Sequence, residues 1–343
     1  MLLLIPLLLV GLFLAAIGLA LALGGPSRPA AMSSINDPFQ SVDFSDLPPL
    51  STFRASDGQM LSFRDYVPRG NTVGSVTLVH GSSASSNSMH PLAKTLVAAG
   101  YRVFALDIRG HGQSGRKGHI DYVGQLDSDL ADFVRSVRPP QPSTLAGFSS
   151  GGGFVLRFAA GEHQSMFGSY LMLSPFLSQN APNQRPASGG WTSVGIPRII
   201  AISVLDGLGI RAFNGLAVTS FALSDRARAI LTPEYDFNLA TNYRPRPDYV
   251  ADIRNAPKTC AIIAGTADEA FHTDQLEAIV RSVRNDWQVE LVPGIGHIPL
   301  TLEPTPLQLI LRHVRELQAK TPWSRALLSS RLSVQRAYPK RPE

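Results

Sequence analysis

The chain has 343 residues, 17% of them charged and 44% hydrophobic, with a formal net charge of +5, enough for one large domain with an insertion or for two ordinary domains. Its single cysteine, Cys260, excludes an intrachain disulfide and a C-x-x-C metal site. Much of the positive balance comes from Arg325, Arg331, Arg336, Lys340 and Arg341 near the C-terminus, and since no recognised motif accompanies it, nucleic acid is not read as a partner.

Leu2–Leu23 contains no charge. As a helix it would be roughly 33 Å long, against a hydrocarbon core of about 30 Å. The apolar run exceeds the usual signal-peptide h-region of about 7–15 residues and no Lys or Arg precedes it, so residues 1–24 read as a retained single-pass membrane anchor. The competing reading is a secretory signal cleaved near Ala20-Leu21-Ala22, which would leave a secreted or periplasmic protein. Residues 25–50 are rich in Pro, Ser and Asp without a clear period, and read as a linker holding the body off the membrane.

The body begins with a hairpin, Thr52–Ala55 and Gln59–Val67, turned at Asp57-Gly58. Then the pattern alternates: strand Ser75–His80, helix His90–Ala99, strand Arg102–Asp107, amphipathic helix Asp121–Arg138, strand Ser143–Phe148, a helix from Gly151, strand Gly168–Leu173. From Pro175 to about Ala256 the alternation stops, leaving Gly/Pro-punctuated apolar pieces such as Ile196–Leu205 and Phe213–Leu223. It resumes with strand Lys258–Ala264, a helix near Asp274–Val283, strand Gln288–Val292 and a final helix near Thr305–Gln318. This order predicts an α/β fold: a mostly parallel, doubly wound sheet in two stretches, 51–176 and 257–320, interrupted by an inserted cap at 177–256 and followed by a basic tail, 321–343. The cap reads as a small helical cluster, as the wall of an apolar pocket, or as both.

Gly147-Phe148-Ser149-Ser150-Gly151 fits G-x-S-x-G, a sharp strand-to-helix turn that lifts a serine hydroxyl clear of a sheet and needs small neighbours where strand and helix nearly touch. Acyl transfer by a serine requires a base, an acid to orient that base, and N–H donors for the oxyanion. Asp268 follows the strand ending at Ala264 and His297 follows the strand ending at Val292, which puts both at the rim with Ser149 in the order Ser, Asp, His. Glu269, next door, is the alternative acid. Gly81 permits a tight turn after the first parallel strand, leaving the amide of Ser82 to join that of Ser150 as oxyanion donors. His80 precedes the nucleophile in the chain and reads as structural. His90, His119, His163, His272 and His313 show no ligand spacing, so no metal is implied; GFSSGGG lacks a Walker lysine, so it is not a phosphate loop, and no cofactor is read.

HGSS at His80–Ser83, LDIRGHGQSG at Leu106–Gly115, GFSSGG at Gly147–Gly152, GTADE at Gly265–Glu269 and GIGH at Gly294–His297 together resemble the α/β-hydrolase superfamily, over about Thr52–Gln318. The RGHGQSG segment resembles its monoacylglycerol lipase and lysophospholipase-like branch, also called the serine aminopeptidase group. That resemblance implies Ser149 as nucleophile, Asp268 as acid, His297 as base, Ser82 and Ser150 as oxyanion donors, and structural roles for Arg109, His111 and Ser114. The branch often has methionine after the nucleophile, where this chain has Ser150. The expected activity is cleavage of carboxylic esters, including monoacylglycerol or lysophospholipid; an amide or peptide hydrolase, an acyltransferase, and a non-catalytic binding protein on the same fold are the alternatives.

Overall fold

The computed structural model describes residues 4–321; the basic tail, from Arg325 to Arg341, and the start of the apolar run at Leu2 lie outside the described residues. The sheet is built from β1 (Leu50–Arg54), β2 (Met60–Tyr66), β3 (Gly74–Val79), β4 (Tyr101–Leu106), β5 (Ser143–Phe148), β6 (Ser169–Leu173), β10 (Cys260–Gly265) and β11 (Gln288–Val292), in the order β1-β2-β4-β3-β5-β6-β10-β11. β1 and β2 pair antiparallel as the Asp57-Gly58 turn dictates, and β2 pairs antiparallel with β4. Every later pairing is parallel, with Val76 opposite Val103 on one side and Thr144 on the other.

All residues of β3, β5, β6 and β10 are buried, as expected of central strands covered on both faces. Cys260 opens β10 inside this core. The cover is α3 (His90–Ala98), α4 (Gln125–Val137), α5 (Ser150–Ala159), α10 (Leu276–Arg281) and α11 (Pro304–Ala319). Phe133 of α4 fixes the hairpin to the sheet: its ring meets Phe53, Phe63 and Phe104 edge-on at 5.4–5.6 Å. α4 starts at Gln125, four residues later than its periodicity indicates. Gly124 takes φ +110° and breaks the helix, so Tyr122 and Val123, periodic with the buried face, are exposed.

The insertion between β6 and β10 is not purely helical. It holds a three-stranded antiparallel sheet of β7 (Thr192–Val194), β8 (Ala217–Phe221) and β9 (Glu234–Asp236), with α6 (Ile196–Gly207), α7 (Asp225–Ile230), α8 (Phe237–Asn242) and α9 (Tyr249–Asn255) around it. β8 is the strand within the apolar piece Phe213–Leu223, and its partners are only three residues long.

α1 (Leu4–Leu23) is apolar along its whole length and long enough to cross a bilayer, and its described side chains are largely uncovered. Its last turn lies against α6, where the Arg198 guanidinium donates to the carbonyls of Leu21 and Ala22, two groups that the end of a helix leaves without intrahelical partners. The following residues do not form a free spacer, contrary to the sequence reading. They contain α2 (Ser33–Asn36) and a 3₁₀ turn at Pro38–Ser41, bury Ile35, and lie on the cap through Ser27–Ser193 and Arg28–Asp225 contacts. The chain folds down here because its apolar residues and orphan amides find partners in the cap.

Candidate active site

β5 runs into α5 through Ser149, whose φ of +56° and ψ of −119° are strained for a residue with a side chain. The crossing is so close that a Cβ on Gly151 would lie 2.2 Å from the His80 carbonyl oxygen. Asp268 and His297 arrive on the loops after β10 and β11. Ser149 Oγ is 3.0 Å from His297 Nε2, and His297 Nδ1 is 2.7 Å from Asp268 Oδ2, so the structure brings the three together in a buried relay. A carboxylate facing Nδ1 takes the Nδ1–H, which leaves the Nε2 lone pair to accept the Ser149 hydroxyl proton.

Each partner is itself held. Asp268 Oδ1 accepts from the amides of Ala270 and Phe271 at 2.8 and 2.9 Å. Burial alone would raise the Asp268 carboxyl, but the neighbouring His297 and these donors outweigh it and keep the group below its ordinary range, hence ionised. The imidazole of His297 lies between the rings of Phe148 and Phe271, at 4.6 and 5.3 Å. Glu269, the alternative acid, accepts the backbone N–H of His297 at 3.0 Å, while the ring nitrogen Nδ1 is met by Asp268.

The amide of Ser150 heads α5, where a first-turn N–H has no intrahelical acceptor. The amide of Ser82 has no acceptor among the described residues, and Ser82 shares a cavity wall with Ser149 and His297. The loop that carries it turns at a residue the sequence did not mark. Ser83, not Gly81, has the left-handed φ, +68°, while a Cβ on Gly81 would press on the Phe148 ring at 3.1 Å. Three hydrogen bonds from the cap hold Ser83: its N–H donates to Tyr235 Oη (2.6 Å), its Oγ to the Thr232 carbonyl (2.7 Å), and Thr232 N–H to its own carbonyl (2.9 Å). Trp191, also of the cap, donates its Nε1–H to Ser82 Oγ at 2.9 Å.

A cavity of about 850 Å³ opens over Ser149 and His297. Trp191, Leu223 and Leu231 line it from the cap, Phe148 and Ile298 from the body. Ile35, Phe39, Val42 and Phe44, from the stretch read as a linker, complete the wall.

Solved structures share this architecture. A soluble variant of monoglyceride lipase from Saccharomyces cerevisiae superposes with a TM-score of 0.58 at 19% identity, over 81% of this chain and 96% of that one. A putative aryl esterase from Burkholderia cenocepacia gives 0.58 at 18%, over 79% and 100%. The chain has the α/β-hydrolase fold. The family model described as serine aminopeptidase, S33, matches residues 70–208 of this chain. By sequence it is 33% identical over 122 residues to a monoacylglycerol lipase of Mycolicibacterium smegmatis, covering 34% of this chain and 44% of that protein. With human monoglyceride lipase it shares 32% over 145 residues, covering 41% and 46%. The matched stretch thus spans less than half the length of each of these curated relatives.

Other polar residues singled out from the sequence hold the framework around the sheet. Arg109 makes a bidentate pair with Asp129 at 2.7 Å and meets Asp57 at 2.9 Å, tying α4 to the hairpin turn. Ser114 Oγ accepts the N–H of Ser62. His80 is buried with Nδ1 on the Gly81 carbonyl and Nε2 toward the Ile108 amide, and His111 Nε2 lies 2.5 Å from Tyr235 Oη. Roles for Ser83, Thr232, Tyr235 and Trp191 were not read from the sequence, where nothing local sets Trp191 and Tyr235 apart from the other aromatics of the insertion, Phe213, Phe221, Phe237, Tyr243 and Tyr249.

Proposed function

We propose that this α/β-hydrolase cleaves carboxylic esters through an acyl-enzyme on Ser149, that it is tethered to a membrane by α1, and that its substrates are lipid-derived, such as a monoacylglycerol or a lysophospholipid. The observation that carries the reading is the buried Ser149–His297–Asp268 relay at 3.0 and 2.7 Å, opening into an apolar cavity. His297 Nε2 takes the Ser149 proton as Oγ bonds the ester carbonyl carbon, and the displaced electron pair rests on an oxygen facing the amides of Ser82 and Ser150. Collapse breaks the bond to the alcohol oxygen, which leaves with the proton from His297. Water then gives a proton to the same nitrogen and attacks the acyl carbon, and Ser149 departs reprotonated. Asp268 stays ionised throughout and fixes the tautomer of the ring.

The lipid assignment draws support from the named activity of the monoacylglycerol lipase relatives and from the apolar cavity wall. The tether draws support from the length and apolar surface of α1. A fluorophosphonate probe should label Ser149, and a panel of acyl esters and matched amides should be turned over by the full chain in detergent. Ser149→Ala should lower ester turnover by a factor on the order of 10⁶. Undiminished turnover in that variant would remove the mechanism, an amide preference would move the activity to peptide-type substrates, and recovery of the full chain in the soluble fraction would remove the tether.

A further inference from the structure

The residues between α1 and β1 line the cavity and are fastened to both the cap and the body. On the cap side, Met32 N–H and Asn36 Nδ2 both donate to the Ala222 carbonyl at 3.0 Å, and the Ser224 amide donates to Asn36 Oδ1 at 3.3 Å. On the body side, Asp46 meets Lys94 Nζ at 2.6 Å and His90 Nε2 at 2.9 Å, with the Phe44 ring beside His90 at 6.1 Å. Between these fastenings Ile35 is buried and Phe39, Val42 and Phe44 are half-buried, and all four face the same cavity as Ser149 and His297. The polar Asn36, Asp37 and Gln40 also border the cavity, whereas Ser34 and Ser41 are exposed and do not line it.

We propose that this strap, residues 35–44, is the acyl-chain wall of the site and sets its chain-length preference. The inference rests on the ester-hydrolase reading above. Four apolar side chains kept against an open cavity by polar fastenings at either end lose exposed surface when a hydrocarbon chain lies along them, at a gain of roughly one methylene contact per carbon. A short acyl group, ending near Ser149, makes little of this contact. The strap therefore separates long from short chains through binding and leaves the chemistry at Ser149 alone.

The test uses the full chain in detergent with a series of 4-nitrophenyl esters from acetate to palmitate. Val42→Trp fills the wall and Phe39→Ala cuts it back; Ser41→Trp, beside Val42 but outside the cavity, is the control. Val42→Trp should lower kcat/KM for the long esters about tenfold, the equivalent of two lost methylene contacts, through KM, with acetate changed less than about twofold. Phe39→Ala should shift the optimum chain length, and Ser41→Trp should leave the profile in place. Labelling by a small fluorophosphonate at the parent rate shows that the variants keep a working Ser149. An unchanged long-to-short ratio in both cavity variants, with labelling intact, overturns the wall while leaving ester hydrolysis standing. Failure of the parent chain to hydrolyse any ester overturns both.

Discussion

Tyr235→Phe removes one oxygen from the cap and tests whether the cap governs the loop proposed to hold the oxyanion. That oxygen accepts the Ser83 N–H at 2.6 Å and lies 2.5 Å from His111 Nε2. Burial, with His80 alongside, keeps His111 well below its ordinary protonation range, and its Nδ1 faces the carbonyls of Ile108 and Arg109. Nε2 is thus an acceptor, and Tyr235 donates to it while accepting from Ser83. Both partners are buried, so the phenylalanine strands one donor and one acceptor at about 1–3 kcal/mol each, about 2–6 kcal/mol in all. Ser83, with one of its three cap bonds gone, has reason to leave its left-handed conformation, and the Ser82 amide turns with it. Loss of one oxyanion donor lowers kcat by about 10²–10³. Urea unfolding and steady-state kinetics on a short-chain ester measure the two effects separately. A lower unfolding free energy with parental kcat would refute the coupling between cap and oxyanion loop; parental values of both would refute the hydrogen-bond assignment.

Asp268→Asn should keep the fold and lower kcat/KM on the same ester by a factor on the order of 10⁴, because an amide facing Nδ1 admits the wrong tautomer. Gly151→Ala should be destabilised by about 1–3 kcal/mol or more, seen as a lower melting temperature or loss of soluble protein, since the added carbon meets backbone oxygens of Val79 and His80 that have no room to retreat. The pH dependence of stability follows from His80 and His111, whose folded-state values burial depresses below the usual 6.5. Below that pH the unfolded chain binds protons that the folded chain refuses, so the contribution is complete above 6.5 and is lost as pH falls further. The urea midpoint should therefore drop from about pH 7 to about pH 5, with a flatter slope in His111→Gln. Asp268 acts in the same direction but in a window below 3.8.

The sheet was legible because its central strands are buried on both faces and its strands β10 and β11 end at glycine-bearing loops: Ala264 to Asp268 and Val292 to His297 could be placed on one rim by counting along the chain. What escaped depends on partners far away in sequence. Met32 and Asn36 meet Ala222, and Ser83 meets Thr232 and Tyr235, so neither the strap nor the loop conformation carries a local pattern. The strands of the cap are three to five residues long, too short for alternation to stand out from a helical period. α4 misled in the opposite sense: Tyr122 and Val123 continue its period, but Gly124 turns the backbone away before them.

Cys260 also has a practical consequence. It is the only thiol in the sequence, and its position inside β10 both hides it and pushes its ionisation well above the ordinary cysteine value, while alkylating reagents react with exposed thiolate. A cysteine introduced at Ser41 would therefore be the sole site a maleimide dye finds, and fluorescence from that position could report on substrate entry without any native residue being replaced first.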